Sequence, residues 1–242
     1  MKFIGVDLGW SSGASGLCCL EWCDRVLEIV DLTTILEVDR ILTWIDERAP
    51  MDTPAMVAVD APTIVINPTG MRLADKLTHK HFGRYHAGCY PANLGLEFTP
   101  RTTGFSRSLS DRQFDHAVTI EPQKLGRYQI EVFPHPATIN LFGLARILKY
   151  KKGKLAERTK ELNKLRHYIV DVLPRLEPAI SLSSINNIPA ISPKQTGREL
   201  KAIEDRLDSL LCAYVAAHWW YWGTAKNMVL GNIGEGFIVI PQ

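Results

Sequence analysis

No apolar stretch of about 18 uninterrupted residues occurs in the chain, which excludes a membrane-crossing helix and leaves no membrane partner to expect. Cysteine is scarce. The five present are an odd number without metal-finger spacing, so neither a disulfide framework nor a zinc finger is expected. Cys18, Cys19 and Cys23 cluster near one predicted strand pair and read as reduced thiols of a cytoplasmic protein. The apolar region that a signal peptide would need after Lys2 is broken by Asp7, so no secretion signal is expected. No internal repeat is found, and the net charge is only +2.

That small net charge hides an asymmetry. Residues 1–65 carry 4 Lys/Arg against 11 Asp/Glu, whereas residues 146–175 carry 10 against 3. A basic face beside an acidic body suits a polyanion partner; a solvated amphipathic helix is the plainer reading of the same run. With 242 residues, 46% of them hydrophobic, the chain can bury a full core as one domain with inserted segments near 63–127 and 146–195.

Apolar runs at 2–7, 14–21 and 25–31, joined by short turns, predict three strands. The spacing of Ile35, Leu36, Val38, Ile41, Leu42 and Ile45 predicts a helix over 34–47. Strands follow at 55–60 and 128–133, the latter halted by Pro134 and Pro136, and a final strand is expected at 236–240. Helices are expected near 71–81, at 155–173 and from Thr196 to about Gly223. Thr196 and Glu199 form a capping box for the last of these. The pattern predicts an α/β fold, a mixed sheet with helices on both faces.

Two of these strands end on a carboxylate, Asp7 and Asp60. If they are parallel neighbours, both acids lie at the carboxyl ends of the strands, where open α/β sheets collect ligands. Glu131 is a third strand-end acid. Asp205 and Asp208, three apart, share one face of the last helix. Clustered acids are tolerated when a divalent cation neutralises them, and oxygen ligands favour Mg²⁺ or Mn²⁺. Taken singly, each strand-end Asp could instead cap a turn, and the helical pair could face solvent.

Four segments together carry a resemblance: Gly5-Val6-Asp7-Leu8-Gly9-Trp10, Ala58-Val59-Asp60-Ala61-Pro62, Ile130-Glu131-Val132-Phe133-Pro134 and Asp205-Arg206-Leu207-Asp208-Ser209-Leu210. They resemble the domain-of-unknown-function family 429, which is grouped with predicted nucleases of the RNase H-like fold. The acids are also similar to those of RuvC-type Holliday-junction resolvases. The resemblance implies a five-stranded sheet in the order 3-2-1-4-5 and a metal-dependent nuclease of DNA or RNA. Asp7, Asp60, Asp205 and Asp208 would be the metal ligands. Glu131 matches only the unknown-function family and joins the catalytic set on that ground.

Around these acids, Gly9 and Ser11 keep the first turn small enough for a phosphate to approach. Arg72 and Lys76, four apart, could meet phosphates from one helix face, with Arg84 nearby; an Arg72–Asp75 pair on a solvated helix is the alternative. Arg84, Arg101 and Arg107 interleave with Tyr85, Tyr90 and Phe105, which suits single-stranded nucleic acid or ordinary loop anchoring. His79, His81, His86 and Cys89 form a weaker zinc candidate. Trp219, Trp220 and Trp222 suggest core packing or a homodimer face. Two other functions compete. One is an actin-like or sugar-kinase-like phosphotransferase, whose second glycine-rich turn finds only Gly231 to Gly236 here. The other is a non-catalytic nucleic-acid-binding module of the same fold.

Overall fold

A computed structural model describes residues 1–10 and 13–242. The first strands are β1 (Lys2–Asp7), β2 (Ser15–Cys23) and β3 (Val26–Ile35), followed by helix α1 (Val38–Arg48) and strand β4 (Ala55–Val59). The next section holds α2 (Leu73–Phe82), α3 (Thr99–Ser110), a short strand β5 (Asp115–His116) and β6 (Arg127–Glu131). Then come α4 (Pro134–Phe142), α5 (Leu155–Val172), α6 (Gly197–Trp222), β7 (Asn227–Asn232) and β8 (Gly236–Pro241).

The central sheet has six strands in the order β3-β2-β1-β4-β6-β5. Pairs β1–β2 and β2–β3 are antiparallel, and β1–β4, β4–β6 and β6–β5 are parallel. The expected order of five strands holds, with β6 in the fifth place. The sixth strand corrects the count: β5 is a two-residue edge strand inside the long 63–127 excursion. A strand that short carries no alternation of its own. Strands β7 and β8 form a separate two-stranded ribbon.

Alternation along the strands sends residues to two cores. Phe3, Leu20, Met56 and Ile130 pack with α5 and α6; Ile4, Val6, Leu17 and Val57 pack with α1 and α3. Helix α6 reaches the sheet at backbone range because β1 and β2 present glycines beneath it. A Cβ on Gly5 would stand 1.9 Å from the Ser209 carbonyl oxygen, and one on Gly16 would stand 1.8 Å from that of Asp205. The capping box fixes where α6 starts: the Glu199 carboxylate accepts from the Thr196 N–H at 2.7 Å, and Thr196 Oγ1 accepts from the Glu199 N–H at 3.3 Å. The close approach and this start together set which turns of α6 lie over the tips of the strands.

The tryptophans of α6 are engaged within the fold. Trp219 and Trp220 are buried, and Trp222 Nε1 donates to the Glu177 carbonyl at 2.6 Å. Among the described residues no helix is long and apolar enough to cross a membrane.

Candidate functional site

The parallel β1–β4 ladder pairs Val6 with Val59, and the Asp60 N–H extends it by donating to the Val6 carbonyl at 2.8 Å. Asp60 therefore stands beside Asp7. The two-residue period turns both toward the α6 side, in series with Phe3 and Gly5 on one strand and Met56 and Ala58 on the other. From above, α6 delivers Asp205 and Asp208 one turn apart. Asp7, Asp60 and Asp205 line a cavity of about 1030 Å³.

Asp208 lies behind that wall, with its side chain 0% exposed. Tyr150 Oη donates to its Oδ1 at 2.8 Å, and Lys151 Nζ lies 2.8 Å from its Oδ2. Lys201 Nζ lies 2.6 Å from Asp205 Oδ1 and 2.8 Å from Glu204 Oε1. Two lysines thus partly neutralise the acids. Lys149, Lys151 and Lys152 all line the cavity, so this part of the basic segment faces the acidic cluster, while Lys154, the residue before α5, is not among the described lining residues.

The charges report on one another. Burial pushes the Asp7 carboxyl well above its ordinary range; Lys151 opposes this, and Asp208, Asp60 and Asp205 add to it. Burial, against the pull of Lys151, likewise raises Asp60 to about 7. Burial also raises Asp205, with Lys201 opposing. Lys151 itself would be discharged by burial, but Asp208, Asp7, Tyr150 and Asp60 outweigh that and hold it charged. His135, on the cavity wall, is lowered to about 4 by burial and by Lys151, so its imidazole is neutral at pH 7.

The raised carboxylate has a consequence for stability. Folded Asp60 keeps its proton up to about pH 7, whereas the unfolded side chain loses it near 3.8. Between those values the folded state binds more protons, so stability falls as pH rises through that window. Thermal melts in EDTA should show this site's loss of Tm between pH 5 and 7, and Asp60→Asn should flatten that slope. Equal slopes in the two proteins would show Asp60 ionised in the fold.

Glu131 pairs in register with Val59, one position out of phase with Asp60, and so leaves its strand on the opposite face. It accepts from Arg72 Nη2 at 2.6 Å, Arg72 Nη1 at 2.8 Å and the Thr63 N–H at 2.9 Å. Arg72 also reaches Asp75 Oδ1 at 2.8 Å. This corrects the helix-face expectation: Arg72 precedes α2, is 4% exposed, and binds two carboxylates within the wall. Lys76 and Arg84 are exposed, and neither is among the described residues lining the cavity; Arg84 lies over the Tyr85 ring at 4.6 Å. At Gly9 the backbone is closely approached, since a Cβ there would stand 2.2 Å from the Gly13 carbonyl oxygen. Arg101 Nε donates to the Gly9 carbonyl at 2.7 Å. Ser11 lies outside the described residues.

His79, His86 and Cys89 line the same cavity, whereas His81 is exposed elsewhere. His79 Nε2 sits 2.7 Å from the Cys89 carbonyl oxygen, so one ring nitrogen is engaged. Among the described residues no group of three or more His, Cys, Asp or Glu side chains is arranged to hold a metal ion. The zinc expectation therefore finds no support in the arrangement, and around the aspartates the resident cations are Lys151 and Lys201. Sequence reading missed His135 and the pairing of Lys151 with Asp208, which local sequence does not signal.

The profile of the family described as "Protein of unknown function (DUF429)" matches residues 5–229. The chain belongs to the DUF429 family. The matched span runs from β1 into β7 and includes all four aspartates of this DUF429 site. No curated protein and no solved structure matches the chain.

Proposed function

We propose that this DUF429 chain is a divalent-metal-dependent nuclease with an RNase H-like fold, hydrolysing phosphodiester bonds of DNA or RNA. One observation carries the reading: acids from two parallel strand ends and from α6 converge in a lysine-rimmed cavity, with Asp7 and Asp60 short of positive charge. The sheet order, antiparallel through β3-β2-β1 and parallel through β1-β4-β6, supports the fold assignment.

The donor chemistry fits a hard ion, although the side chains are gathered around an ammonium rather than preset for a metal. Asp7, Asp60 and Asp205 would hold Mg²⁺ or Mn²⁺, with Asp208 behind them. When bound, the ion supplies Lewis acidity toward a phosphoryl oxygen and charge for the leaving oxygen. The chain's own residues do the rest. Lys149 and Lys152 attract the phosphates, the strand tips hold Asp7 and Asp60 rigidly, and neutral His135 offers a proton acceptor on the wall.

A second reading, a non-catalytic nucleic-acid-binding module, draws on Lys151 and Lys201, which already counter the acids without metal. The phosphotransferase reading loses its second phosphate turn. Residues 231–236 join β7 to β8 as a hairpin in which Asn232 Oδ1 accepts from Gly234 and Glu235 N–H groups at 2.9 and 3.0 Å.

Purified protein with Mn²⁺ and labelled single strands, duplexes and four-way junctions of DNA and RNA tests the proposal. Cleavage that EDTA stops is the expected result. Binding without cleavage at stoichiometric protein would favour the second reading.

A further inference from the structure

Next to the acidic cavity lies a second hollow of about 630 Å³, walled by Trp10, Tyr90, Pro91, Asn93, Leu96 and Phe98. Trp10, Tyr90 and Pro91 belong to both walls, so the two spaces adjoin. Trp10 ties them together. Its Nε1 donates to the carbonyl of Asp60 at 3.2 Å, and its ring centroid lies 4.5 Å from that of Phe98.

The chemistry of this annex is one-sided. Its walls are aromatic and aliphatic, and the amide of Asn93 is engaged at both ends: Nδ2 donates to the Gly70 carbonyl at 2.9 Å, and Oδ1 accepts from the Gly95 N–H at 3.1 Å. What remains to read a base edge is slight: the second Asn93 Nδ2 hydrogen and the Tyr90 hydroxyl. Tyr90, 69% exposed, presents a ring to solvent, with Lys152 Nζ 3.2 Å from its Oη. An aromatic face thus adjoins a phosphate-attracting charge, the combination that holds unpaired nucleotides through stacking and backbone charge.

Resting on the nuclease reading of the adjoining cavity, we infer that the annex takes an unpaired base, stacked on Tyr90 and Trp10, from a single-stranded nucleic acid whose phosphates follow Lys149 and Lys152. Recognition depends little on base identity, since every base has a stacking face and the annex offers few groups that could read a base edge. A duplex binds worse because its bases are already stacked and paired, and extruding one costs free energy.

Fluorescence anisotropy in EDTA, where no cleavage proceeds, tests this with labelled decamers of dT and dA, the dA·dT duplex and inorganic polyphosphate. Single strands should bind about tenfold or more tighter than duplex, with dT and dA within a few-fold of each other. Tyr90→Ala should lose about tenfold on single strands, Tyr90→Phe should lose little, and polyphosphate should bind all three proteins equally. A 2-aminopurine strand should be quenched by wild type and less so by Tyr90→Ala. If Tyr90→Ala binds strands as wild type does, while Lys149→Glu with Lys152→Glu weakens them, the annex inference falls and the site reading stands. If an apolar peptide fills the annex without competing with the strand, the inference also falls. If wild type binds no nucleic acid, both fall.

Discussion

Asp7→Asn should lower Mn²⁺-dependent cleavage by roughly a thousandfold, to near background, while leaving the protein folded. The side chain sits at the tip of β1, and amide and carboxylate have nearly the same shape, so packing under α6 is kept. What changes is charge. Burial and the neighbouring Asp208, Asp60 and Asp205 already make ionised Asp7 costly, with only Lys151 offsetting them. Removing that charge relieves repulsion, so the Tm of the variant above pH 7 in EDTA should equal or exceed that of wild type. Loss of activity with a retained or raised Tm separates a functional acid from a structural one. Unchanged cleavage by the variant would place the activity in a contaminant or at another site.

The strand-tip acids were legible because their signal is local. An apolar run that stops on Asp reads the same in sequence and structure, and the i, i+3 spacing on α6 fixes a face before any neighbour is known. Parallel pairing of β1 with β4 entered only as a condition, and the order β3-β2-β1-β4-β6 was what the family resemblance implied. Helices α3 and α4 were not legible. The buried face of α3 is Thr99, Thr102, Phe105, Ser106 and Leu109, mostly weak helix formers with little apolar periodicity. For α4, Pro134 and Pro136 read as stops, yet they fall in the first turn, where the missing N–H groups have no helical partner to lose.

The charge partners were the least legible part. Lys151 and Asp208 are 57 positions apart in the chain, and only the packing of the 143–154 connection against α6 brings them within 2.8 Å. The same packing buries the last acid of the Asp-x-x-Asp pair and leaves the first on the cavity wall. Spacing on one helix face predicted that they would lie together, but not that one would be covered. A lysine among aspartates also reframes metal binding: an incoming ion must contend with an ammonium that three of those aspartates stabilise.

Arg72→Met should cost about 3–5 kcal/mol of stability, the largest structural effect expected of any single substitution around the cavity. Its guanidinium, 2% exposed, joins Asp75 and Glu131 side chains that are 1% and 4% exposed. The pair of carboxylates outweighs burial and holds Arg72 charged. Methionine fills much of the volume but leaves two buried carboxylates without their shared cation. One of them, Asp75, also accepts from the Ala92 N–H at 3.0 Å, and so ties α2 to the loop that carries Tyr90 and Pro91. For a chain of this size the loss corresponds to a fall in Tm of roughly 6–20 °C. Arg72→Lys keeps a charge but not the planar fork that bridges both acids, so it should fall between wild type and Met. Glu131→Gln should be milder than Arg72→Met, because the amide oxygen can still accept from Arg72 and Thr63 and Asp75 keeps its partner. Scanning calorimetry of the three variants checks the ranking. A Met variant within 2 °C of wild type, a shift below about 1 kcal/mol, would show that the network relaxes into solvent and does not hold the wall.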